Sequence, residues 1–219
     1  MTAPAQLSID IVSDVVCPWC AIGYKQLERA IGHMGDRVDV GVRWHPFQLA
    51  PYLDANGQNI GDYGRERYGA SPEQSAANRT RIQSAGAPLG LEFNYSSDSR
   101  IYNTRKAHRL LAWAGETGGQ TALKLALFQA YFKDQLNISD DDVLLNVVEA
   151  AGLDRAAAET ALADPRYEEQ VDQELHYWDM QNITGVPAFI INGKYMIPGA
   201  QDAETFVRIF EKVLEKEAA

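Results

Sequence analysis

Cysteine is almost missing from this 219-residue chain, for Cys17 and Cys20 are its whole complement. Two thiols cannot build a disulfide framework, and a structural zinc site needs four ligands. The four histidines, His33, His45, His108 and His176, show no finger spacing, so no metal site is expected. Covalent haem attachment needs a histidine directly after the second cysteine, and Ala21 stands there. A purely structural disulfide across so short a loop would stabilise little. Cationic residues are also in deficit: Lys+Arg 20 against Asp+Glu 30 gives a formal net charge of −10. That balance argues against general binding to nucleic acid or anionic membrane. No apolar run is long enough to span a bilayer, and Met1-Thr2-Ala3-Pro4-Ala5-Gln6 has no basic region. The expectation is therefore no signal peptide, no membrane partner and a cytoplasmic address, where the two thiols rest mostly reduced. Repeats and low-complexity stretches are lacking too. What is present, 46% hydrophobic and 10% aromatic residues, can bury a sizeable core without staples, as one large domain or one domain carrying an insertion.

The two cysteines lie two residues apart, in Cys17-Pro18-Trp19-Cys20. The run Leu7-Ser8-Ile9-Asp10-Ile11-Val12-Ser13 before them alternates like a half-buried strand, and Cys20, Tyr24, Leu27 and Ile31 follow at helical spacing. A Cys-x-x-Cys where a strand gives way to a helix reads as a redox site. Exchange needs a thiolate, and the first turn of a helix has unpaired N–H groups and a dipole that favours negative charge. Cys17 falls at that turn and Pro18 suits the first helical position. We assign Cys17 as attacking thiol, with a lowered pKa, and Cys20 as resolving thiol.

Along the chain, Gly35-Asp36 reads as a turn, and Val38, Val40, Val42 and Trp44 alternate with polar residues as a second strand, parallel to the first. Phe47 to Gly64, rich in Pro, Gly, Asn and Asp, reads as an exit loop. A helical stretch follows. Ser71 and Gln74 form a capping box; Ala107, Leu110, Leu111 and Ala114 make an apolar face closed by Gly118-Gly119; Leu123, Leu127, Phe128, Tyr131 and Phe132 make a broadly apolar helix. Ser139 is placed as cap of a helix bearing Val143, Leu144, Val147 and Val148, and Asp164-Pro165 opens a longer one through Trp178. Ala188–Ile191, Asn192-Gly193 and Lys194–Ile197 form the clearest hairpin, with a type I′ turn, before a last amphipathic helix. Pro187 at the first strand of this hairpin cannot donate to a ladder, and we expect Val186-Pro187 to be cis and to face the cysteines.

The Cys-Pro-Trp-Cys segment after the first strand, Thr184-Gly185-Val186-Pro187 before a hairpin and a terminal helix together resemble the thioredoxin superfamily. With Asp14-Val15-Val16 before the cysteines, Arg43-Trp44-His45-Pro46-Phe47, Asn103-Thr104-Arg105-Lys106-Ala107-His108 and Pro198-Gly199-Ala200-Gln201, the chain resembles the FrnE-like branch of DsbA-family oxidoreductases. That group is related to kappa-class glutathione transferases and 2-hydroxychromene-2-carboxylate isomerases. The resemblance implies an α/β thioredoxin-like fold, a central mixed sheet flanked by helices. It places a discontinuous thioredoxin-like domain at 1–60 and 165–219 and a helical insertion at 61–164, with the active site in the cleft between. It also implies that Val186 pairs its backbone with substrate, with Pro18 and Trp19 as further substrate-binding residues. In the kappa and isomerase relatives a serine usually matches Cys17 and activates glutathione; the cysteine here favours direct disulfide exchange. DsbA carries histidine where this chain has Trp19, so a less perturbed Cys17 and a less oxidising couple are expected.

Further candidates for the cleft or for glutathione are Asp14, His45, Asn103, Gln201 and Asp202. Asp14 would orient a water or proton near the thiols, or simply end the strand. His45 would line the cleft, or be an exposed loop histidine. His108 shares the motif of the glutathione-using relatives, or is a plain helix-face residue. Gln201 and Asp202 stand at a helix N-terminus able to hold a carboxylate, where Asp202 also suits the N-cap. The leading reading is an enzyme, a dithiol–disulfide oxidoreductase acting on protein or low-molecular-weight disulfides, with no required cofactor and glutathione admitted as co-substrate. The alternatives are a glutathione-dependent transferase or isomerase of an aromatic small molecule, and a holdase-like protein with a redox sensor. Monomer and homodimer are both left open.

Overall fold

The alternation that marks the first strand sorts its side chains onto two different layers. In the computed structural model, which describes residues 4–218, β1 (Ala5–Ser13) is followed by α1 (Pro18–Met34) and β2 (Val38–Pro46). β1 and β2 pair in parallel from Ala5↔Val38 to Ser13↔Pro46, the strand–helix–strand unit the pattern predicts. Near the other end of the chain, β5 (Ala188–Ile191) and β6 (Tyr195–Pro198) form a hairpin, and β5 pairs antiparallel with β1. The sheet therefore runs β2-β1-β5-β6, and β1 is interior. Asn192 and Gly193 both have positive φ, 50° and 65°, as a type I′ turn requires.

The segment between β2 and β5 carries β3 (Gln58–Asn59), α2 (Ile60–Tyr68), α3 (Pro72–Gly86), β4 (Arg100–Ile101), α4 (Arg105–Glu116), α5 (Gln120–Phe128), α6 (Asp141–Ala150), α7 (Arg155–Ala163) and α8 (Pro165–Met180). α9 (Ala203–Ala218) closes the chain. On one face of the sheet, Ile9, Ile11, Phe189 and Ile191 pack with Leu27 of α1 and with Phe206 and Phe210 of α9, all at most 1% exposed. On the other face, Val12, Ala188 and Ile190 pack with Trp178 of α8. α1 comes very close to the hairpin: a Cβ at Gly23 would stand 3.1 Å from the Phe189 ring. No helix among the described residues is long and apolar enough to cross a membrane.

Three local expectations are corrected. The exit loop is shorter than its composition suggested, because Asn59 caps α2 by accepting from Gly61 N at 2.9 Å; glycines at 61 and 64 hid that helix. The helix after residue 139 is capped by Asp140, which accepts from Val143 N at 3.0 Å, while the Ser139 hydroxyl turns to the Asn103 carbonyl. The apolar run from Leu123 to Phe132 is not one regular helix, for α5 ends at Phe128 and passes into a π-helical turn, Gln129–Lys133. The paired strands β3 and β4, two residues each, carry no readable period.

Candidate active site

β1 ends at Ser13 and α1 begins at Pro18, so the short connection between them sets both thiols at the end of the central strand. Cys17 is the N-cap residue of α1, with extended backbone (φ −90°, ψ 110°), and Pro18 occupies the first turn. Both cysteines are free thiols. Cys17 is 4% exposed and Cys20 is 0% exposed, so only Cys17 reaches the surface at all. The Val186-Pro187 peptide bond is cis, and the Val186 carbonyl lies 3.7 Å from Cys17 Sγ. Gly199 N donates to the Pro187 carbonyl at 2.8 Å and ties this loop to the end of β6.

The electrostatics differ from the expected lowered pKa at Cys17. Burial pushes the Cys17 thiol well up, and its hydrogen bond to Cys20 and the charges of Cys20 and Asp14 add to this. The backbone N–H of Cys20, in the first turn of α1, acts the other way and lowers it, but does not outweigh burial. The same N–H donates to the Cys17 carbonyl at 3.1 Å. For Cys20 burial also acts upward, but it is outweighed by the bond from Cys17, the Ser13 hydroxyl and the Lys124 charge, and the thiol is held below its ordinary value. The two thiols are thus moved in opposite directions, the outer one up and the inner one down.

Beneath the pair lies a buried polar group. Asp14, 0% exposed, accepts from Leu49 N at 2.7 Å and lies 3.3 Å from His108 Nε2. His108 Nε2–H donates to the Phe47 carbonyl at 2.9 Å, and burial holds this imidazole below its ordinary value. Outside the thiols, a cavity of ≈600 Å³ opens beside Pro18 and Trp19, walled by Tyr63, Tyr68, Tyr95 and Tyr131. The Arg81 guanidinium sits 4.9 Å from the Trp19 ring centroid, at the cavity wall.

The structure thus brings Cys17, Cys20, Pro18, Trp19, Val186, Pro187 and Asp14 to one place, and gives the other candidates partners of their own. His45 is neither in a loop nor exposed: it sits in β2, 9% exposed, with Nε2 at 2.8 Å from Asp10 and Nδ1 at 2.7 Å from Glu174. Asn103 is spent on backbone, donating to the carbonyls of Pro51 (3.0 Å) and Leu53 (2.9 Å). Gln201 donates to the Pro198 carbonyl at 3.0 Å, and Asp202 accepts from Thr205 N at 2.7 Å as a cap of α9. Sequence reasoning missed Lys124 altogether. A lysine inside an otherwise apolar helical run was the signal that could have found it.

A family described as "DSBA-like thioredoxin domain" matches residues 8–211. The chain is 33% identical over 210 residues to "Uncharacterized protein YwbO" of Bacillus subtilis, covering 95% of this chain and 96% of that protein. It is 26% identical over 190 residues to the thiol:disulfide interchange protein DsbL of Escherichia coli, covering 85% of this chain and 68% of that one. Among solved structures, a probable DsbA oxidoreductase from Streptomyces coelicolor superposes with a TM-score of 0.88 at 31% identity, over 95% of this chain and 90% of that one. A 2-hydroxychromene-2-carboxylate isomerase shares the fold, with a TM-score of 0.70 at 17% identity over 96% of this chain and 98% of that one.

Proposed function

The chain belongs to the DSBA-like thioredoxin-domain family, and from that membership we propose that it is a dithiol–disulfide oxidoreductase working through Cys17 and Cys20. The observation that carries the reading is the pairing of two free thiols with the Val186 carbonyl at 3.7 Å from the outer sulfur. An extended disulfide-bearing segment aligned on the Val186 backbone would present its sulfur to Cys17. Pro18 and Trp19, with the adjoining cavity, would take the groups next to that sulfur.

The exchange runs in two steps. The Cys17 thiolate attacks one sulfur of the substrate disulfide, forming a mixed disulfide and expelling the other sulfur as thiolate. The Cys20 thiolate then attacks the Cys17 sulfur, closes the Cys17–Cys20 disulfide and expels the second substrate thiolate. The proton shed by Cys20 ends on the first expelled thiolate, and two electrons have passed to the substrate. Read backward, the same steps oxidise a substrate dithiol. Because Cys17 is the thiol pushed up and Cys20 the one held down, attack from Cys17 requires its proton to pass to Cys20 along their hydrogen bond. Glutathione or a protein dithiol would return the site to its starting state.

The test is a trap. In Cys20→Ser the mixed disulfide at Cys17 has no resolving thiol, and protein or small-thiol adducts should accumulate and be released by a reductant. Cys17→Ser should form none. A Cys20→Ser protein that forms no adduct, or that turns over a disulfide at the unsubstituted rate, overturns the reading. Undiminished conversion of an aromatic small molecule by Cys20→Ser with glutathione would install the isomerase reading instead.

A further inference from the structure

Lys124 heads the buried side chains in size, at 0% exposure. It belongs to α5, far in sequence from the cysteines, and the exchange scheme gives it no part. A lysine withdrawn from water is costly unless something compensates its charge. Among the described residues no carboxylate reaches it within ion-pair distance. Its ammonium donates to the Ser13 carbonyl, at 3.4 Å, the last residue of β1. It lies 5.2 Å from the ring centroids of both Trp44 and Phe128. A carbonyl and two aromatic faces hold the group in place, yet they supply no negative charge. The titratable groups whose charges bear on it are Cys20 of α1, Cys17 at the N-cap of that helix and Asp14 of the β1–α1 connection, and its own charge is felt by His108 of α4. The Ser13 hydroxyl, buried and with no hydrogen-bond partner of ordinary geometry, is on hand for the same sulfur.

Resting on the exchange reading, we propose that Lys124 is a positioning residue of the dithiol site, a fixed buried cation that keeps the Cys20 sulfur as a thiolate. In resolution, that thiolate is the group that attacks the Cys17 mixed disulfide. In the reverse direction, when a substrate thiolate attacks Cys17 of the closed disulfide, Cys20 departs as the thiolate that Lys124 already faces. Closing the disulfide removes the negative charge and leaves the ammonium with Asp14 alone, so Lys124 favours the reduced state. Burial lowers the Lys124 pKa to about 8, the mark of a cation short of countercharge, while the neighbouring Cys20, Asp14 and Cys17 act to raise it.

Lys124→Met is the direct test, since methionine keeps length and apolar contact in the Trp44–Phe128 cage while deleting the charge. In a Cys17→Ser background, ultraviolet thiolate absorbance followed against pH reports Cys20 alone. Lys124→Met should move the midpoint of the Cys20 titration up by about one pH unit, a tenfold change in its ionisation constant. In the two-cysteine protein, equilibration with dithiothreitol should shift about tenfold toward the Cys17–Cys20 disulfide, about 30 mV for a two-electron couple. An unmoved Cys20 titration in a folded Lys124→Met protein overturns the proposal.

A second measurement needs no substitution. Coupling of this kind is reciprocal, so the Lys124 ammonium, followed by NMR in protein labelled at the lysine side-chain nitrogen, should lose its proton at lower pH in the oxidised than in the reduced protein. Identical titrations in the two states overturn the proposal even where Lys124→Met does not fold. Should Cys20→Ser trap nothing while Lys124→Met still shifts Cys20, the exchange reading falls and the Lys124–Cys20 pairing stands.

Discussion

Access and charge are divided between the two sulfurs: Cys17 has the only exposure, and Cys20 is the one held low in pKa. Asp14 bears on that division. It is 0% exposed and its charge adds to the burial that pushes Cys17 up, so Asp14→Asn should lower the Cys17 titration and speed alkylation of Cys17 near neutral pH, by about threefold to tenfold. The pH profile of iodoacetamide modification in a Cys20→Ser background checks this, and a slower Asp14→Asn protein would refute it. Asparagine keeps an acceptor for Leu49 N, so the loop contact at 2.7 Å is preserved in kind. The cysteine pair, Trp19 and Asp14 were readable as a site because they are adjacent in sequence. Lys124 was not, because a lone lysine in an apolar helix usually snorkels to water, and only the tertiary fold shows that this one does not. The charge division was equally hidden, since it arises from burial and from α5, neither of which the motif contains.

Elements whose ends are marked by local chemistry could be read directly, and α3 is the plainest. Both halves of its capping box form, Gln74 N donating to Ser71 Oγ at 3.2 Å and Ser71 N donating to Gln74 Oε1 at 2.8 Å. α3 also walls the cavity beside Trp19 through Gln74, Asn78, Arg81 and Ile82. Ser71→Ala should therefore cost about 1 kcal/mol. The loss should appear as faster amide exchange in the first turn of α3, with exchange in β1 and β5 unchanged. Uniform acceleration across the sheet would show that the cap is not a local device. The β5–β6 hairpin was legible for the same reason, because Asn192-Gly193 demands one turn type, but its second strand starts at Tyr195 and not at Lys194, so that Ile191 pairs with Tyr195 and the register is one residue later than expected. α2 was not, since its composition is that of a loop and its stability comes from the Asn59 cap and from contacts made after folding.

At the scale of the whole molecule, the parallel pair at one end and the hairpin at the other could be anticipated, while the pairing of β5 with β1 and the other long-range ties could not. His45 is one such tie: it bridges Asp10 of β1 and Glu174 of α8, with its ring 4.8 Å from that of Trp178. Those partners lie 35 and 129 residues away in sequence, so no spacing rule reaches them. Their protonation sets a pH window for stability. Burial alone would lower the His45 pKa, but its bonds to Asp10 and Glu174 outweigh burial and raise it above 6.5. Burial alone would raise that of Glu174, but the bonds from His45 and Gln170 hold it below 4.5. A raised histidine contributes stability that is full below its unfolded value and is lost as pH climbs through the folded one. A lowered carboxylate contributes stability that is full above its unfolded value and is lost as pH falls through the folded one. Both contributions are complete together between the ordinary values of 4.5 and 6.5. Stability from this group should therefore be greatest in mildly acidic solution and decline as pH rises beyond the folded His45 value. His45→Gln should remove that alkaline decline and cost about 1–3 kcal/mol in the plateau, between the values for exposed and buried pairs, because the bridge is partly open to solvent. Urea unfolding followed across the pH range in both proteins measures it. A wild-type stability that rises from mildly acidic to neutral pH, with His45→Gln running parallel, would show that the bridge is not what ties α8 to the sheet.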